Sequence, residues 1–438
     1  MTRQSSTPTD LAAWLSYIES LHPKSIAMGL DRVNQVIGRL ALHPKFKVIT
    51  VAGTNGKGST CAMLAEIYQQ AGYQVGCYSS PHLLRYNERV RVNGVEASDS
   101  DLCLAFEAVN AARHANEVIA LTYFEVGTLA AIWHFMHAQL DVVILEIGLG
   151  GRLDAVNAFE PACAIVTSID LDHQEFLGDT REAIGFEKAG VYRENKPAIL
   201  GDANPPTSIV LHAKKINALL KCIQVDFSFS LTQSGWQYVE DNLVRYTLPL
   251  PALKGAYQLS NAACAIAAVE SLQHQLPVSV NDIANAMQNV KLSGRFQLVQ
   301  TKPDVVLDVA HNPHAANALA ANLKQARVLN SRVLAVFEML ADKDMLGVID
   351  AVKDEIDTWY VANIDHVRGA SAAQLANHIK TICPKANVQL FDSVVKAYAQ
   401  ACNDIETCND ADENDKIVVF GSFFTVSAVM QALNSSIR

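Results

Sequence analysis

The chain has 438 residues, enough for two or three domains with sizeable cores, and carries a formal net charge of −10. That acidic balance argues against nucleic-acid binding, which calls for a basic stripe. No apolar run reaches spanning length, the start Met1–Asp10 lacks a signal-peptide layout, and the nine cysteines form no C-x-x-C pair. The expectation is a cytoplasmic protein with reduced thiols, no membrane partner, and ligands gathered at local positive sites.

A short helical stretch, roughly Leu11–Leu42, comes first. Apolar strand-like runs then alternate with helix-like segments, the pattern of a parallel sheet covered by helices. Strands are predicted at Lys47–Ala52, Gln74–Ser79, Asp141–Glu146, Cys163–Ser168 and Pro197–Leu200. Helices are predicted at Ser59–Ala71, Asp99–Ala115, Phe124–Ala138 and Arg181–Ala189. Between Cys222 and Leu248 the alternation of Trp236, Tyr238 and Val244 predicts antiparallel strands, followed by helices over Tyr257–His274 and Asn281–Asn289. The texture changes around Lys291-Leu292-Ser293-Gly294-Arg295, which places a domain boundary there: 1–293 and 294–438. A second alternating series runs from strand Val305–Val309 through helix Pro313–Ala326 to strand Lys416–Phe420, reading as a smaller doubly wound domain. Within it, Lys343–Lys353 is predicted helical and the acidic stretch Asp404–Asp415 is predicted to be a solvated loop.

Chemistry concentrates at strand ends. Val48–Ala52 is a β-branched strand, and Gly53-Thr54-Asn55-Gly56-Lys57-Gly58-Ser59-Thr60 is a glycine-rich turn opening a helix. Backbone N–H groups and a helix N-terminus then face an anion that Lys57 neutralises, so the loop predicts a nucleotide phosphate site. The common pattern sets Ser or Thr directly after the lysine; here Gly58 intervenes. Asp141–Glu146 ends in a carboxylate at the sheet edge, where Glu146 suits Mg²⁺, a cation that takes oxygen ligands and keeps several waters. Ser168-Ile169-Asp170-Leu171-Asp172-His173 and Ser79-Ser80-Pro81-His82 follow strands in the same way. In the second domain, Asn312 reads as a helix cap before Pro313, which leaves Asp308 and His311 for other work. Gly421-Ser422-Phe423-Phe424-Thr425 is a third strand-to-helix corner, with free N–H donors.

Taken together these segments resemble the Mur ligase superfamily, and within it the bacterial dihydrofolate synthase/folylpolyglutamate synthase family. The likeness adds Met28-Gly29-Leu30-Asp31-Arg32, Leu121-Thr122-Tyr123-Phe124-Glu125, Leu145–Asp154, Gly185–Gly190, Gly294-Arg295-Phe296 and Asp342-Lys343-Asp344, and runs from about Leu11 to Leu433. A loop ending Gly-Lys-Gly-Ser is expected in this family. The resemblance implies an N-terminal P-loop ATPase domain and a smaller Rossmann-like domain, with the active site in the cleft between them. It implies an ATP-dependent ligase that activates a carboxylate as an acyl phosphate and joins it to L-glutamate, with dihydropteroate and reduced folates as acceptors.

The resemblance assigns Asn55, Gly56, Lys57, Gly58, Ser59, Thr60, Asn261, Arg295 and Asp308 to ATP, with His311 on the loop of Asp308. Ser80 and Glu146 would hold one Mg²⁺ and His173 a second metal, while Lys188 would be carbamylated to supply a metal-facing carboxylate. Met28, Gly29, Leu30, Thr122, Tyr123, Phe124, Glu125, Leu153, Asp154 and Ala155 match the pterin side, and Ser422 a position near the incoming glutamate. Two positions depart from the family pattern: Glu338, where relatives often have a small residue, and Phe424, where a polar residue is usual. A cell-wall Mur ligase would need a nucleotide-sugar domain before the P-loop, and Leu11–Leu42 is too short to be one. A non-catalytic ATP-binding module on this scaffold would be expected to lack Lys57, Glu146 or Lys188, all of which are present. A monomer is expected.

Overall fold

The computed structural model describes residues 8–24, 26–255, 257–407 and 414–436. Cys408 and the middle of the acidic stretch, 408–413, lie outside the described residues, as does most of the polar start. The chain divides into two compact units, one of residues 1–251 and 260–290, the other of 252–259 and 291–438.

The first unit is built on an eight-stranded sheet. Its order is Val95–Glu96, Val90–Val92, Val75–Tyr78, Val142–Glu146, Lys47–Ala52, Cys163–Val166, Pro197–Leu200 and Leu219–Cys222. The last six are parallel; the two short strands at one edge run antiparallel. Val142–Leu145 is wholly buried because helices cover both faces, which is why its sequence is a continuous apolar run and not an alternation. One covering helix, Tyr123–His137, packs against Asp99–His114 and is apolar nearly all round. Thr122 caps it, accepting the Glu125 N–H, and Glu125 accepts the Thr122 N–H in return. A three-stranded antiparallel sheet is formed by Phe227–Leu231, Trp236–Glu240 and Leu243–Leu248; Trp236 and Tyr238 face inward as read from the sequence, whereas Val244 is exposed.

The second unit holds a six-stranded sheet. Its order is Gln297–Gln300, Asp304–Leu307, Lys416–Phe420, Val333–Phe337, Thr358–Ala362 and Asn387–Phe391, all parallel except the first. The carboxyl ends of its middle strands lie side by side, with Phe337 opposite Phe420 and the Asp308 N–H bonded to the Val419 carbonyl.

Two local expectations need correction. The helix expected from Lys343 starts at Met345, because Asp344 is its cap and accepts the Gly347 N–H. The acidic stretch is not a solvated loop at its ends. Asp404 lies in the helix Val394–Glu406 and accepts from the Tyr360 hydroxyl, while Asp415 is 1% exposed. Asp415 takes the Arg332 N–H at 2.6 Å and its guanidinium at 2.9 and 2.6 Å. Asp415→Ala strands the arginine beside a buried edge, so a loss of about 2–3 kcal/mol is expected, read from the urea midpoint.

Candidate functional site

In the first unit the chain reaches Val75–Tyr78 on one side of the Lys47–Ala52 and Val142–Glu146 pair and resumes at Cys163–Val166 on the other. The carboxyl ends of these strands therefore meet at a switch in strand order, the place where open α/β sheets bind ligands. The loop Gly53–Asn55 is stitched to the neighbouring strand end. Thr54 donates its N–H to the Ser168 carbonyl, Asn55 donates to Ser168 Oγ at 3.1 Å, and Thr167 Oγ donates to the Asn55 carbonyl at 2.6 Å. Thr167 and Ser168 thus shape the loop, a role with no signal in the sequence beyond their place at a strand end.

Gly56 opens the helix Lys57–Gln70 with φ +86°, and a Cβ there would run into Asn261 Oδ1. Gly53, at φ +145°, is likewise closed by Thr167. Both glycines are required by backbone and by space. The cradle so formed has an orphan. Thr60 Oγ1 is buried without a hydrogen-bond partner, and an unpaired buried hydroxyl calls for a ligand. Lys57 Nζ lies over the loop, donating to the carbonyls of Gly53 at 2.9 Å and Thr54 at 3.1 Å. Gly56→Ala is expected to remove measurable ATP binding in calorimetry and to lower stability by about 1–3 kcal/mol, because it combines a strained φ with a collision.

Glu146 is 4% exposed at the end of its strand and accepts the Ser80 N–H at 3.1 Å, so two of the expected metal residues are neighbours. Among the described residues no three His, Cys, Asp or Glu side chains converge as a metal cage. One carboxylate beside a serine is an oxygen donor set of the kind Mg²⁺ takes, the rest of its shell being waters and substrate phosphates. His173, at φ 50°, starts a short helix beside Asp172, whose carboxylate is 3.8 Å from its Nε2.

Lys188 closes the helix Arg181–Ala189 and is 4% exposed. Burial, and after it the charge of Lys57, brings its amine down to about 7, against the pull of Asp172 and Asp154. Asp154 is itself enclosed. Burial raises its carboxyl to about 7, although it accepts N–H groups from Gly148, Leu149 and Val156.

The residues expected on the pterin side lie around that loop. Gly29 donates its N–H to the Leu153 carbonyl at 3.3 Å, and a Cβ on Gly148 would meet the Phe124 ring. Met28, Leu30, Phe124 and Leu153 are half-exposed apolar groups, suited to a flat aromatic ligand. Glu125 faces inward: Arg32 holds its carboxylate at 2.8 Å and Thr122 N–H occupies the other oxygen, so it orients the wall and does not reach outward. Tyr123 stacks edge-on with Tyr86, and Ala155 begins a turn of 3₁₀ helix capped by Asp154.

In the second unit Asp308 follows its strand and accepts the N–H groups of Phe296 and Ala310. Enclosure raises its proton affinity and Arg295 opposes this. The Arg295 guanidinium lies 5.4 Å from the Phe423 ring centre, and His311 packs on the same ring at 6.1 Å. Asn312 is the cap of Pro313–Ala326, accepting the Ala315 N–H. Ser422 is 3% exposed and its hydroxyl is 2.8 Å from that of Thr425. Phe424 is exposed and stacks on His366.

Two domain families match the chain: the Mur ligase middle domain over residues 51–269 and the Mur ligase glutamate ligase domain over 294–423. The chain belongs to the Mur ligase family. Within that family it is 46% identical to the dihydrofolate synthase/folylpolyglutamate synthase of Escherichia coli, over 99% of this chain and 97% of the relative. Escherichia coli FolC in complex with DHPP and ADP superimposes with a TM-score of 0.92 at 45% identity, covering 99% of this chain and 100% of that one. A bifunctional folylpolyglutamate synthase/dihydrofolate synthase with Mn, AMPPNP and L-glutamate bound gives 0.88 at 45% identity, with 99% and 100% covered. The fold expected from the sequence, a P-loop Mur ligase domain followed by a smaller Rossmann-like one, is therefore the fold of this Mur ligase. No helix of the described residues is long and apolar enough to cross a membrane.

Proposed function

We propose that this Mur ligase is an ATP-dependent ligase joining L-glutamate to dihydropteroate, and then further γ-linked glutamates to reduced folates. The observation that carries the reading is end-to-end likeness, 46% identity over 99% of the chain, to enzymes of that name. The buried groups at the first unit's strand ends supply the chemistry such a reaction needs.

A carboxylate is a poor electrophile. Transfer of the γ-phosphoryl group of ATP to it forms an acyl phosphate, the glutamate nitrogen attacks the acyl carbon, and phosphate leaves as the amide forms. Charge builds up on phosphate oxygens throughout, so fixed positive groups lower the barrier. The N–H groups of Gly56, Gly58 and Ser59, the Thr60 hydroxyl and Lys57 Nζ are assigned to those oxygens, while the Thr60 N–H is donated to the Gly56 carbonyl and Asn55 shapes the turn. Asn261 packs on Gly56 from the same unit. Ser80 and Glu146 would hold one Mg²⁺, and His173 with a carbamylated Lys188 a second. Such ions supply charge neutralisation without proton transfer. Met28–Leu30, Thr122–Glu125 and Leu153–Ala155 form the pterin side. Arg295, Asp308 and His311 are assigned to the nucleotide and to the transferred group, and Ser422 to the glutamate. The described cysteines are free thiols, which supports a cytoplasmic location.

The test is glutamate-dependent ADP release by the purified full chain with ATP and Mg²⁺, comparing dihydropteroate with tetrahydrofolate. Turnover of both is expected. Turnover of tetrahydrofolate alone would restrict the enzyme to chain extension, and ATP binding without glutamate-dependent release would overturn the ligase reading.

A further inference from the structure

After Cys163–Val166 the chain leaves the sheet and has no regular structure until the short helix Gln174–Leu177, which follows His173. The backbone N–H and carbonyl groups of that segment have no ladder to pair them, so each needs a partner from elsewhere. Side chains supply those partners one residue at a time. The Ile169 N–H goes to the Asp202 carboxylate at 2.9 Å, and the Ile169 carbonyl accepts from Arg181 Nε at 2.8 Å. Arg181 and Asp202 also hold each other at 2.9 Å, so the two grip Ile169 as one unit. At the next residue, Thr54 Oγ1 accepts the Asp170 N–H at 2.9 Å and donates to the Asp170 carbonyl at 3.1 Å. The only proton of the Thr54 hydroxyl is thereby taken, and it has none to offer a phosphate.

We propose that Thr54, Arg181 and Asp202 are positioning residues for a divalent cation held by His173: they fix the backbone of Ile169 and Asp170 just before that imidazole. The proposal rests on the assignment of His173 to a second metal ion. A ligand on a loose loop must be ordered when the cation binds, which weakens binding. A backbone pinned beforehand avoids that penalty, so groups behind a ligand change metal affinity without touching the ion. His173 shows the effect of such pinning. Its φ of 50° lies in the left-handed region, which a residue other than glycine keeps where its surroundings impose it.

Arg181 makes a second link. It opens the helix Arg181–Ala189, whose last turn carries Lys188, the other group assigned to the same ion. One guanidinium therefore ties the segment before His173 to the helix that bears Lys188. Asp172 is among the charges acting on the Lys188 amine, so the loop carrying His173 reaches the far end of that helix.

The experiment counts Mn²⁺ bound to the full chain in the presence of AMPPNP, from the electron paramagnetic resonance signal of the free ion. The wild type is expected to take up a first Mn²⁺ and then a second. Thr54→Val is nearly isosteric and loses both hydrogen bonds, so the second ion should bind at least about tenfold more weakly, with the first unchanged. Thr54→Ser keeps the hydroxyl and should hold the second ion within about twofold of the wild type. Arg181→Met releases the Ile169 carbonyl without touching the phosphate loop and should weaken the same ion; it decides the matter where Thr54→Val does not fold. AMPPNP binding by calorimetry in EDTA should be the same in every variant, because none removes a group assigned to phosphate. A second ion bound as tightly as in the wild type by both Thr54→Val and Arg181→Met would overturn the proposal. So would a loss of AMPPNP binding in EDTA that matches the loss of the ion. A wild type that binds a single Mn²⁺ would overturn the assignment of His173 itself, and the proposal with it.

Discussion

Lys188→Ala is expected to lower kcat by at least about a hundredfold while leaving the fold and ATP binding in place, because it removes the proposed charge-bearing metal ligand and not the cradle. The reasoning begins with the amine. An ordinary lysine holds its proton at neutral pH, whereas Lys188 is brought to about 7 by burial and by Lys57. Roughly half of it is then the free amine, the form that reacts with carbon dioxide. Its nitrogen lone pair attacks the carbon, a C–N bond forms, and a proton leaves to water. The product is a carbamate, an anion with two oxygens, where an ammonium ion was disfavoured by its surroundings. Intact-protein mass measured without acid should show the added carbon dioxide on the wild type and not on Lys188→Ala. Activity should fall below about pH 7, as the amine takes up a proton, and be restored by bicarbonate. A Lys188→Ala enzyme of full activity would remove any required role for the carbamate.

The same shift has a stability consequence of definite sign. Between about 7 and the unfolded lysine value of about 10.4, the unfolded chain binds a proton that the uncarbamylated fold does not. Stability of that form therefore rises with pH through this window. Below about 7 both states carry the proton and the burial penalty stands in full. Denaturant midpoints taken in carbon dioxide-free buffer are the check.

How much of this was legible beforehand depended on whether the chemistry was local. Lys47–Ala52, Pro197–Leu200 and Thr358–Ala362 have the bounds read from the sequence, because β-branched and aromatic runs between turn residues specify a strand by themselves. Cys163–Val166 is shorter than expected, since Thr167 and Ser168 leave the sheet to bind the glycine-rich loop at Asn55. The edge strands Val90–Val92 and Val95–Glu96 and the helix Thr207–Lys215 had no periodic signal long enough to read. At the site, the glycine turn and the carboxylate closing Val142–Glu146 announced themselves. Asn261 entered only through resemblance: its contact with Gly56 spans some two hundred residues of chain and leaves no local pattern. The Arg32–Glu125 pair is of the same kind, a long-range contact that turns a pterin-side candidate into a support of its wall.

Lys57→Ala should lose about a thousandfold in kcat, roughly 4 kcal/mol of charge stabilisation, with the helix behind it intact. Its amine bridges the Gly53 and Thr54 carbonyls, so removal also frees the loop and the KM for ATP should rise. A second effect separates this enzyme from a phosphate loop standing alone. Lys57 is the largest charge holding the Lys188 amine down. Without it Lys188 keeps its proton to higher pH, and the carbamate seen by mass should form at a correspondingly higher pH than in the wild type. Carbamate formation that follows the same pH curve in Lys57→Ala and wild type would show the two lysines to be electrostatically independent. A displaced curve would mean that Lys57, the cation proposed for the phosphates, also prepares Lys188, the lysine proposed for the metal.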